Sequence, residues 1–100
     1  MEKQAALTPN KIITTLEEHR HEIRKHGVKK IGLFGSFLKR TQHKKSDIDF
    51  LVVFNKPTFD NYIELKFLLE KLFRRKVDLV IEENLKPALQ YVRRRALYVQ

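Results

Sequence analysis

Ile12, Ile13, Leu16 and Ile23 recur at roughly helical spacing, with Glu17, Glu18, Arg20 and Glu22 between them. Thr8-Pro9-Asn10 reads as a helix start, with Thr8 or Asn10 as N-cap and Pro9 in the first turn. Gly27 is suited to the C′ stop, so the pattern predicts a helix over about 10–26. The short apolar run Ile31-Gly32-Leu33-Phe34-Gly35, closed by glycine, suits a buried strand. Ser36 to Arg40 fits a short helix, and the polar, basic stretch Thr41 to Ser46 a loop. Asp47 to Phe54 turns β-branched and aromatic after its acidic start, which predicts a second strand ended by Asn55-Lys56-Pro57. Phe59, Tyr62, Ile63, Leu65, Phe67, Leu68, Leu69, Leu72 and Phe73 fill an amphipathic helix over about 59–73, its aromatic residues assigned to the core. Lys76 to Ile81 predicts a third strand. Pro87, followed by Leu89, Val92, Ala96 and Leu97, predicts a last helix over about 86–96. The alternation of helices and strands implies an α/β or α+β fold with a small mixed sheet of three to four strands.

The length of 100 residues fits a single domain spanning 1–100. Hydrophobic residues make up 42%, with seven Phe and three Tyr, enough for a packed core. Gly and Pro number three each, which argues against a disordered or collagen-like chain. No apolar run approaches the ~18–20 residues that span a membrane, and the N-terminus lacks the apolar centre of a secretory signal. Without cysteine there is no disulfide and no thiolate metal site. These features lead us to expect a small cytoplasmic protein. Lys and Arg total 21 against 12 Asp and Glu, a net charge of +9 that suggests a polyanionic partner such as nucleotide phosphates or nucleic acid.

Three acidic residues interrupt apolar strands. Asp47 and Asp49 are two apart, so both side chains point to one face. Asp78 is surrounded by Val77, Leu79, Val80 and Ile81, where an Asp is costly unless paired or bound to a cation. A strand-start role for Asp47 and an ion pair of Asp78 with Lys76 or Arg75 are the bland alternatives. Clustered carboxylates are what magnesium prefers, with substrate phosphates and water filling its other positions. Two such ions ~3.5–4 Å apart can hold the attacking and leaving oxygens of a phosphoryl displacement. Gly35-Ser36 supplies the complement. A glycine at a strand end allows close backbone approach, and free N–H groups of a helix starting at Ser36 suit a triphosphate. For Gly35-Ser36, Asp47, Asp49 and Asp78 to meet at one edge, the first strand must run antiparallel to the second and third. Those two are then parallel, joined by the 59–73 helix as a right-handed crossover.

The spacing Gly35-Ser36, ten residues, Asp47-Ile48-Asp49, then Asp78 on a later strand resembles the polymerase-β-type nucleotidyltransferase superfamily, and within it the minimal nucleotidyltransferases. The resemblance covers nearly the whole chain. It implies a palm-like fold and transfer of a nucleoside monophosphate, most simply AMP from ATP, onto a hydroxyl with release of pyrophosphate. Position by position, it makes Asp47 and Asp49 the metal-binding pair. Asp78 becomes the third carboxylate, which can also help deprotonate the acceptor. Gly35 and Ser36 become phosphate-binding residues. Lys39 stands where the family often has Arg, and Arg40 where it often has Gly; lysine keeps the charge but not the bidentate geometry. The resemblance also implies a partner, a small helical HEPN-domain protein. In such toxin–antitoxin pairs the transferase is the antitoxin and adds AMP to a tyrosine of the toxin. The length implies a catalytic core to which the acceptor comes as a separate molecule.

One other reading competes. A non-catalytic RNA- or protein-binding module of basic character would use Gly32-Leu33-Phe34-Gly35 as a KH-type GXXG loop, although Leu and Phe belong inside and the three Asp residues stay unexplained. The basic clusters Lys29-Lys30, Lys39-Arg40, Lys44-Lys45, Arg74-Arg75-Lys76 and Arg93-Arg94-Arg95 read first as solvated faces, with a substrate role open for the 39–45 loop. His19, His21, His26 and His43 show no zinc-like pairing. Tyr62, Tyr91 and Tyr98 are assigned to packing.

Overall fold

A computed structural model describes residues 7–35, 37 and 47–99. The first helical stretch is two helices, α1 (Pro9–Glu18) and α2 (Arg20–Lys25), where the sequence predicted one. Thr8 is the N-cap: its Oγ1 accepts from the Lys11 backbone N–H at 3.1 Å, with Pro9 in the first turn. The break falls at His19. The Thr15 hydroxyl donates back to the Lys11 carbonyl at 2.8 Å, a bond that bends helices, and the His19 N–H is shared between the Thr15 and Leu16 carbonyls. Gly27, at φ 75°, terminates α2 as expected.

Strand β1 (Val28–Phe34) pairs antiparallel with β2 (Ile48–Phe54), and β2 pairs parallel with β3 (Val77–Ile81). These directions are those the placement of the acidic residues required. Helix α3 (Phe59–Phe73) makes the crossover from β2 to β3. Its Thr58 cap accepts from the Asn61 N–H, and its Glu70 carboxylate accepts from the Val77 N–H at 3.0 Å, tying the helix to the strand it feeds. Gly32 to Phe34 lie inside β1, so they form no KH-type loop.

The end of the chain departs from the predicted helix over 86–96. Two 3₁₀ turns, Glu82–Asn84 and Pro87–Leu89, lead to a short helix α4 (Tyr91–Arg95). The chain then becomes extended at Ala96 (ψ 144°) and adds a strand β4 (Leu97–Val99), antiparallel to β1. Among the described residues the fold shows a four-stranded mixed sheet, order β3-β2-β1-β4, and the helices α1 to α4. Val99 explains the ending: it joins the core beside Ile31, its register partner.

The core fills one side of the sheet. Ile31 and Leu33 of β1, Ile48, Phe50 and Val52 of β2, and Val77 and Leu79 of β3 meet Ile12 and Leu16 of α1, Ile23 of α2, and Leu65, Leu69 and Phe73 of α3. The α3 residues are four apart, one stripe of the helix. Its other aromatic residues do not share that stripe: Phe59 and Phe67 are 77% and 64% exposed, against the expectation that all were core. Tyr62 packs as expected and donates to the Leu79 carbonyl at 2.6 Å. Alternation then gives the opposite face Lys30, Gly32 and Phe34 from β1, Asp49, Leu51 and Val53 from β2, Asp78 and Val80 from β3, and Tyr98 from β4.

Candidate active site

On that second face, one row of the sheet reads Phe34, Asp49, Asp78: Phe34 is the register partner of Asp49, and Asp49 of Asp78. Parallel pairing of β2 with β3 therefore puts the two acidic residues side by side on adjacent strands, whose backbones lie ~4.8 Å apart. Asp47 lies two residues before Asp49 in the chain, just outside the strand. Asp47 and Asp78 are exposed and Asp49 is half-buried. Asp78 thus avoids the desolvation its apolar neighbours suggested, because Val77 and Leu79 point into the core while it points out.

Gly35 closes β1 beside this row, at φ 79°. A Cβ there would fall on the Asp49 carboxylate, so the backbone turn and the acid are in direct contact. Phe37 is helical and only 1% exposed, part of the core, with the Arg75 guanidinium 5.2 Å from its ring centre. Ser36, Lys39 and the 41–46 loop, including His43, lie outside the described residues.

A cleft of about 490 Å³ opens from the same row. Phe34, Gly35, Asp78 and Val80 form its sheet side; Asn84, Leu85, Lys86 and Leu89 from the 3₁₀ segment and Tyr91, Val92 and Arg95 from α4 form the other. Its size and its mainly apolar wall with a few polar groups suit a small organic ligand. The sequence pattern did not identify this wall. Tyr91, assigned there to packing, is 43% exposed on the cleft. Arg95, from the basic cluster of unassigned role, is at its rim. One signal was legible: Asp78, Val80 and Glu82 alternate, which already places the residues after β3 on the acidic face.

The donor chemistry fits a hard divalent cation: carboxylate oxygens only, two of the three groups exposed and able to turn toward an ion. Among the described residues, no three acidic or histidine side chains are already drawn into a metal-holding group. No helix among them is long and apolar enough to cross a membrane.

Residues 16–98 match the family described as "Nucleotidyltransferase domain". The chain is 39% identical over 98 residues, covering 95% of itself and 99% of the relative, to a protein adenylyltransferase, MntA, of Thermococcus cleftensis. Among solved structures it is similar to one described as a candidate minimal nucleotidyltransferase, at TM-score 0.72 and 30% identity, covering 94% of this chain and 98% of that one. It is also similar to a toxin–antitoxin structure with AMP-PNP, at TM-score 0.59 and 32% identity, covering 83% of this chain and 64% of that one.

Proposed function

The chain belongs to the nucleotidyltransferase domain family, and from that premise we propose that it is a protein adenylyltransferase, moving AMP from ATP onto a hydroxyl of a partner protein. The observation that carries this reading is the row Phe34–Asp49–Asp78, bordered by the positive-φ turn at Gly35 and opening into the cleft. The turn brings backbone close to the acids, where a triphosphate can lie, and the cleft accepts the nucleoside. Asp47, Asp49 and Asp78 would hold magnesium, one ion or two. Bound there, it neutralises triphosphate charge and polarises the phosphorus under attack. The acceptor oxygen bonds to the α-phosphorus, the bridging bond to the β-phosphate breaks, and pyrophosphate leaves. The exposed Asp78 takes the acceptor proton. Positioning and charge neutralisation supply most of the rate.

The similarity to the adenylyltransferase MntA and to a toxin–antitoxin structure holding an ATP analogue supports an antitoxin role; the acceptor in this reading is a tyrosine of a small helical HEPN-domain protein. The test is incubation with magnesium, a HEPN-domain protein and ATP labelled at the α-phosphate. Label should pass to a tyrosine of the partner, and the double variant Asp47→Asn, Asp49→Asn should transfer none. Wild-type transfer by that variant would sink the mechanism.

A further inference from the structure

Among the described residues Glu82 is the one buried charged side chain, and the reaction does not use it. It follows β3 directly and gathers groups from three other elements. The Tyr98 hydroxyl of β4 donates to its Oε2 at 2.6 Å, Nε of Arg93 in α4 lies 3.1 Å from its Oε1, and Nζ of Lys30 in β1 lies 4.0 Å from its Oε2. Helix α4 needs such an anchor. It has five residues and buries none of them, and helices this short are marginal on their own. It also has two working sides. Arg93 reaches Glu82 and the Gln90 side chain, while Tyr91, Val92 and Arg95 form the wall of the cleft facing Asp78.

We infer that the Glu82–Arg93 pair is the clamp that seats α4 across the sheet and so sets the shape of the nucleotide cleft. Glu82 and Arg93 are then positioning residues for nucleotide binding. This rests on the functional reading above only in naming the ligand. Without Arg93 the carboxylate loses its closest cation in a poorly hydrated place, α4 spends less time seated, and apparent affinity falls by the seated fraction. A helix seated one-tenth of the time weakens binding about tenfold.

The test titrates the full chain, with magnesium, against an ATP analogue fluorescent at its ribose, and follows amide hydrogen exchange over residues 91–95 without nucleotide. Arg93→Ala and Glu82→Gln should weaken binding about tenfold and speed exchange in α4, while β1, β2 and β3 keep their protection. Arg93→Lys should restore most of both. Arg94→Ala, altering the exposed neighbour on the same helix, should change neither. Should Arg93→Ala fail to fold, Glu82→Gln, which keeps the shape and a hydrogen-bonding group, decides the matter. Wild-type affinity and exchange in Arg93→Ala or Glu82→Gln would overturn the clamp, as would equal loss of protection across the whole sheet. A wild-type chain that binds no nucleotide sinks the functional reading instead, and exchange in α4 still decides the clamp.

Discussion

No side chain fits at position 35, because the carboxylate of Asp49 fills the space a Cβ would occupy. Two demands meet there: the close approach, and a φ of 79° that L side chains rarely adopt. Gly35→Ala must move either the turn or the acid. Strain of this kind costs about 1–3 kcal/mol, and displacing Asp49 should remove magnesium-dependent nucleotide binding. Denaturant unfolding and nucleotide titration of the same variant check both parts.

Asp78 should separate chemistry from stability. It is exposed on a strand whose core residues are its neighbours. Asp78→Asn should therefore shift unfolding free energy by no more than about 0.5 kcal/mol. Label transfer should fall at least ~100-fold, the lower end for loss of a proton acceptor. A variant that melts early and still transfers label at the wild-type rate would assign Asp78 to the scaffold.

Gly32 is the cross-strand partner of Tyr98, and a Cβ at Gly32 would meet Cδ1 and Cε1 of that ring at 2.7 and 2.9 Å. Gly32→Ala should destabilise by about 1–3 kcal/mol through overpacking. In a Tyr98→Ala background the same change should cost less, because the two residues are in contact. Urea unfolding of the four proteins of this cycle measures the difference.

Burial, and next the hydrogen bond to Glu82, raise the Tyr98 hydroxyl well above its ordinary pKa of 10.0. The folded chain keeps this proton after the unfolded chain starts to release it. The hydroxyl's contribution is therefore complete below about pH 10 and declines as pH rises beyond it. The stability difference between wild type and Tyr98→Phe should shrink from about pH 8 to about pH 11, read by urea unfolding at both.

Much of the site was legible because it obeys short-range rules. The two-residue spacing of Asp47 and Asp49 puts both on one face wherever the chain is extended, and the apolar run after them identifies a strand. The strand directions followed from requiring the acids and Gly35 to meet. The element ends Thr8 and Gly27 were readable for the same reason, since capping and positive φ act within a few residues.

The final segment was not readable in that way. Leu89, Val92, Ala96 and Leu97 keep a helical spacing, yet the helix ends at Arg95 and the next three residues pair with β1. What decides it is distant in sequence: the bare backbone of Gly32, which admits the Tyr98 ring, and the core position beside Ile31, which takes Val99. Phe59 and Phe67 carry the same lesson, since their helix has only one stripe against the sheet and the sheet chooses which.

By itself, then, the sequence determined strands β1 to β3 and the glycine turn that closes β1, set by local backbone geometry and side-chain period. Only the tertiary structure decided that Asp78 is the register partner of Asp49, that Gly35 rests on the Asp49 carboxylate, and that Glu82 meets Arg93 of α4. Those are contacts between strands and helices far apart in the chain, and no local preference encodes them until the core has brought the elements together.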